Sequence, residues 1–158
     1  MAGDPAAAAE LGAEGCRLLE ALGERAFLST AAGTLAQALY ALDRLNEAET
    51  WATRAAELGA ADDALTQMYW RRVRAQVLAR RGEHAEAERL AREAVAIGER
   101  TDDIEALAGA CRDLGEVLVL AGRPKDAATA LEQTAALYER KGNVVMAERV
   151  HNRRAALR

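Results

Sequence analysis

The densest group of side chains able to do chemistry is the run Tyr69-Trp70-Arg71-Arg72-Val73-Arg74, which holds three arginines and two of the chain's six aromatic residues. No acid occurs between Ala64 and Gly82, so the run is either a binding surface, whose planar guanidinium forks suit a carboxylate, or packing written in arginine. The other reactive types are scattered. His84 and His151 stand alone on different helices, and Cys16 and Cys111 are too far apart to form a ligand pair. No C-x-x-C, H-E-x-x-H, G-x-x-x-x-G-K-[ST] or G-x-G-x-x-G is present, so neither a zinc site nor a phosphate cradle is expected. Ser29 has no histidine and acid at a recognisable spacing. The acid pairs Asp62–Asp63 and Asp102–Asp103 fall at helix starts, where capping and the helix dipole account for them. Glu83, Glu86, Glu88, Arg89 and Arg92 pair at three- and four-residue spacing and read as a solvated helix face. The residues point to a protein that is not an enzyme and needs no cofactor or metal.

Composition limits the partners. Of 158 residues, 39 are alanine, two are proline and one is phenylalanine, which favours closely packed helices. A net charge of −4 argues against nonspecific binding to nucleic acid, which depends on neutralising phosphates. No basic start and apolar run marks a signal peptide, and no stretch is long and apolar enough for a membrane helix. A cytoplasmic protein with buried, reduced thiols is expected.

The elements that position these residues repeat. QALYALDRLNEAE (37–49), QVLARRGEHAEAE (76–88) and EVLVLAGRPKDAA (116–128) align on Ala48, Ala87 and Ala127, at spacings of 39 and 40 residues. GDPAAAA (3–9) adds a partial copy with Ala8 in the same register. N-cap types at Ser29 or Thr30, Asn46, Asp62 or Asp63, Thr101 or Asp102, and Asn143 mark helix starts; Gly59, Gly82, Gly98, Gly122 and Gly142 mark stops. The predicted helices are 5–23, 29–43, 46–59, 63–81, 83–99, 103–121, 124–141 and 144–157. Helix pairs that cannot bury their apolar stripes alone stack into a solenoid.

These units resemble tetratricopeptide repeats. Counting from Ala48, Ala87 and Ala127, the small residue twelve positions earlier is Ala36, Ala75 or Gly115. The position nine earlier is Leu39, Leu78 or Leu118, and that seven later is Ala55, Ala94 or Thr134. A narrower likeness joins 73–95, 120–132 and 137–148 to the C-terminal helical-repeat region of actinobacterial adenylate/guanylate cyclase-type ATPases and related ATP-binding transcriptional regulators. No cyclase or ATPase segment is present, so no activity carries over. The resemblance implies an all-α, right-handed solenoid of antiparallel helix pairs, about eight helices in one domain spanning 1–158. Its units are a half repeat (3–28), repeats at 29–61, 62–100 and 101–142, and a capping helix (143–158).

The resemblance also implies a concave groove that receives extended peptides. Repeat register places Tyr40, Tyr69, Arg72, Gln76, Arg80, Arg112 and Glu116 on that side. Basic residues there can hold a carboxylate, although the family's carboxylate-clamp pattern of Asn and Lys is not matched; solvated or ion-paired arginines are the plainer reading. Arg71 and Arg74 stand where the family buries apolar side chains, so either the helix is rotated or their stems snorkel outward. The expected function is a protein-protein interaction or scaffold module, a regulatory fragment of a larger signalling protein. A small-molecule-sensing domain and an oligomerisation element are the alternatives. The first copy begins at the turn Gly3-Asp4-Pro5 without its partner helix, so the chain is expected to be either a fragment of a longer protein or a stand-alone one whose exposed edge favours homo-oligomers through the terminal helices.

Overall fold

The computed structural model describes residues 4–157; Gly3 of the Gly3-Asp4-Pro5 turn and Arg158 of the capping segment lie outside them. Eight helices and no strand make up the described residues: α1 (Pro5–Leu22), α2 (Arg25–Ala41), α3 (Leu45–Leu58), α4 (Ala64–Arg80), α5 (His84–Gly98), α6 (Ile104–Leu120), α7 (Pro124–Lys141) and α8 (Val144–Ala155). Each helix packs on the next, and α2, α4 and α6 also lie directly against one another in a row. The outer helices α3, α5 and α7 make no comparable contact among themselves. The row α2–α4–α6 is therefore the inner, concave layer of a tetratricopeptide-like solenoid, and α3, α5 and α7 form the outer layer.

Small residues set the spacing between layers. Ala48, Ala87 and Ala127 are wholly buried, as are Ala36 and Ala75. A Cβ on Gly115 would come within 3.1 Å of Leu131 Cδ2, so a side chain there would wedge α6 from α7. The turn from inner to outer helix is the same in each unit. Its left-handed residue is Asp43 (φ 61°), Gly82 (φ 85°) or Gly122 (φ 72°), spaced as the repeat is. Asp43 carries the cost of that conformation as a non-glycine residue.

Helix starts differ from expectation in three places. Ser29 and Thr30 cap nothing; α2 begins four residues before Ser29, whose hydroxyl donates back to Ala26 O (2.7 Å) and lies near Thr66 Oγ1 (3.3 Å). Buried packing of this turn against α4 outweighs local capping preference. Asn46 likewise lies inside α3, which starts after Arg44. Asp63 and Asn143 do cap, accepting from the backbone N–H of Thr66 and Met146, whereas at α6 the cap is Asp103 in place of Thr101 or Asp102, accepting from Ala106 N–H. No helix among the described residues is long and apolar enough to cross a membrane.

Candidate functional site

The inner layer presents three registers of side chains, one residue from each of α2, α4 and α6. They are Thr30/Tyr69/Gly109, Gly33/Arg72/Arg112 and Gln37/Gln76/Glu116. The two glycines let α4 reach both neighbours. A Cβ on Gly33 would sit 2.8 Å from Tyr69 Cβ, so Tyr69 covers the α2 backbone; one on Gly109 would sit 2.7 Å from Arg72 Nη2, so the guanidinium lies across α6.

Arg72 is therefore part of the wall. Its side chain and that of Asp113 are only 5% and 3% exposed, and Arg72 Nε donates to Asp113 Oδ2 at 2.8 Å. Arg112 takes the other oxygen: Nε and Nη2 donate to Asp113 Oδ1 at 2.9 and 2.8 Å. Burial alone pushes the Asp113 carboxyl up, but Arg72 and Arg112 outweigh it and hold the carboxyl below its ordinary value. The adjoining acid, Glu116, is spanned from two helices. Tyr40 Oη donates to Oε1 (2.7 Å) and Gln76 Nε2 to Oε2 (2.9 Å), while Arg153 Nη2 of α8 stands 4.0 Å away. Burial, then the bond and charge of Glu116, raise the Tyr40 phenol and keep it protonated as a donor.

Around these two acids lies a cleft of about 370 Å³, lined by Gln37, Tyr40, Ala41, Gln76, Arg112, Asp113, Glu116 and Arg153. Its chemistry is that of a donor-rich hollow. Gln37 Nε2 is buried without a hydrogen-bond partner. Arg112 and Arg153 are partly exposed beyond the bonds they make, and Arg80 reaches outward to Asp43 (2.7 Å). No cluster of His, Cys, Asp or Glu suited to a metal ion occurs among the described residues.

Residues 64–140 match the family model for the tetratricopeptide repeat. The match runs from the first residue of α4 to the last turn of α7, just under half of the chain. No curated protein matches the chain. Tetratricopeptide repeats generally mediate contact between proteins, and the family is typically a helical scaffold without catalytic groups.

Of the seven residues assigned to the groove by register, Tyr40, Gln76, Arg112 and Glu116 line one cleft. Arg72 is buried with its guanidinium held by Asp113, and Tyr69 lies part-buried 5.6 Å from that guanidinium, outside this cleft's lining. Arg80 is not in the lining but stands at its edge, bonded to Asp43 and beside the Tyr40 phenol. Sequence reasoning passed over Gln37, Asp113 and Arg153. Gln37 was visible as the 39-residue counterpart of Gln76, and Asp113 as an acid where the same register has Thr34 and Val73. Arg153 had no such signal, because it comes from the helix after the last full repeat. The other arginines of the basic run are also absorbed by the fold. Arg71 stacks 4.1 Å over Trp70 and bonds Gln67 and Glu93, while Arg74 is part-buried with its Nε unpartnered. Arg71 pairs while Arg74 makes no ion pair among the described residues, and the helix is not rotated out of register. His84 is part-buried at the start of α5, and His151 is exposed and 3.0 Å from Glu139.

Proposed function

We propose that the whole chain is a tetratricopeptide-type interaction module, without catalytic activity, that takes an extended segment of a partner protein along α2, α4 and α6, with an acidic side chain of that segment in the cleft. One observation carries the reading. Gln37 Nε2 is a buried donor with no partner, and the spare guanidinium edges of Arg112 and Arg153 converge on the same hollow. An unsatisfied buried donor costs free energy that an incoming acceptor recovers, and arginine forks suit a planar carboxylate. Glu116 does not repel such a group strongly, since Tyr40, Gln76 and Arg153 already surround it.

The likeness to helical-repeat regions of cyclase-type signalling proteins supports a regulatory role as a cytoplasmic part of a larger protein. The cleft's volume is near the lower end for small-ligand pockets, so a small carboxylate is the second occupant to consider. The test is an array of extended peptides, acidic and basic, probed with the parent and with Arg112→Ala/Arg153→Ala. Acidic peptides should bind the parent, and the double variant should lose about tenfold or more in affinity at unchanged helicity. Equal binding by parent and variant, or a preference for basic peptides, overturns the reading.

A further inference from the structure

The inner cleft collects donors from three different helices. Gln37 Nε2 of α2 is buried with no hydrogen-bond partner. Arg112 of α6 gives one N–H from Nε and one from Nη2 to Asp113, which leaves three of a guanidinium's five N–H groups. Arg153 of α8 holds its Nη2 4.0 Å from Glu116 Oε2, beyond hydrogen-bond distance. The two acids of the lining are already engaged: Asp113 by Arg72 and Arg112, and Glu116 by Tyr40 and Gln76. The basic residues of the lining are both arginines; the chain's lysines, Lys125 and Lys141, lie elsewhere.

We infer that the acid taken by the cleft is a phosphorylated serine or threonine of the partner segment, so that phosphorylation of the partner switches binding on. This rests on the proposed seating of an acidic side chain in the cleft and adds the regulation of that site. A carboxylate is planar and has two oxygens, so the fork of one arginine engages both. A phosphoryl group is tetrahedral, with three terminal oxygens and a second negative charge near neutral pH. It accepts a fork from Arg112, a fork from Arg153 and the amide of Gln37 together, on oxygens that point in different directions. The acid it would meet, Glu116, has both oxygens bonded by neutral donors and Arg153 beside it, which limits the repulsion. The hollow of about 370 Å³ has room for the phosphoryl group and the short stem that carries it. Ala41 is the one apolar residue of the lining, so no surface is provided for the ring of a phosphotyrosine. An unmodified hydroxyl brings no charge and leaves both forks without a partner.

Calorimetric titration of the 158-residue chain with three sets of short peptides tests this. The sets share a randomised extended background and differ in one fixed central residue: serine, glutamate or phosphoserine. The phosphoserine set should bind about tenfold or more tighter than the glutamate set, and the serine set weakest. Gln37→Leu and Arg153→Ala leave the buried Arg72–Asp113 pair untouched, so each should keep the helical circular dichroism and lose most of that margin. Arg153→Lys should not restore it, because a single ammonium does not span two oxygens. Inorganic phosphate lacks the rest of the segment and should need about 100-fold or more the peptide's concentration to displace it. Glutamate binding as tightly as phosphoserine would overturn the inference and leave the acidic segment in place. A phosphoserine margin that survives both variants would put the group elsewhere on the chain, and displacement by phosphate at the peptide's own concentration would make the ligand a free phosphorylated molecule. Either result overturns the inference. Binding by none of the three sets would overturn it together with the acidic segment beneath it.

Discussion

Removing Asp113 should destabilise this chain far more than its single side chain suggests. In Asp113→Ala, Arg72 loses its acceptor while its side chain stays buried between α4 and α6, with Nη2 against the Gly109 backbone. An uncompensated buried charge costs about 3–5 kcal/mol. For a chain of this length each kcal/mol moves the melting temperature by about 2–4 °C, so a fall of about 6–20 °C is expected at pH 7. Arg72→Met should cost less, about 1–2 kcal/mol, because Asp113 keeps both bonds from Arg112. Arg72→Met/Asp113→Leu should recover most of the loss, since a buried pair replaced by apolar groups of similar volume is often neutral. A cycle closed with the single variant Asp113→Leu, which strands Arg72 in the same way, should therefore show a coupling of about 2 kcal/mol or more. The pH dependence has a fixed sign. The folded carboxyl lies below its unfolded value, so its contribution is present in full above about pH 4 and is lost as pH falls through the lower folded value. The gap between parent and Asp113→Ala should accordingly be constant from pH 5 to pH 8 and narrow in more acidic buffer. Thermal unfolding followed at 222 nm measures all of this. An Asp113→Ala melting point within about 3 °C of the parent, or a coupling below about 0.5 kcal/mol, would refute the claim that Arg72 and Asp113 act as one buried unit.

Two further outcomes are expected. Gly33→Ala gains about 1 kcal/mol of helix propensity but sets a Cβ 2.8 Å from Tyr69 Cβ, an atom fixed to the α4 backbone, so a net loss of about 1–3 kcal/mol should appear in denaturant titration. Burial, followed by the nearby Glu99 and Asp113 charges, pushes the Cys111 thiol up to about 12, and burial also raises Cys16; neither should react with a disulfide reagent at pH 8 in the folded chain, and both should react once it is unfolded.

The helices, their order and the layer of small residues were legible because each depends on local pattern. Ala48, Ala87 and Ala127 recur with the repeat and are all buried at the crossing of inner and outer helices. Caps were less legible, since a hydroxyl such as Ser29 bonds equally well inside a helix when tertiary packing extends it. The turn residue Asp43 was hidden for a related reason. It takes the backbone conformation of Gly82 and Gly122, yet its type gives no sign of this until the three turns are superposed.

The site was legible by position and obscure by role. Repeat register put Arg72 on the inner face, where it is, but register specifies direction and not depth. Whether an arginine pointing inward meets water or protein depends on what the adjacent inner helix carries at its own counterpart positions. Here α6 carries Gly109, which makes room, and Asp113, which supplies the charge. Neither is near Arg72 in sequence. One unit further along, Arg112 occupies the same register, but α8 does not pack on α6 as α6 packs on α4, so its guanidinium keeps an edge toward the cleft while holding Asp113. The same residue at the same repeat position thus closes the wall in one unit and lines the cleft in the next, because only the first has a further inner helix packed beside it.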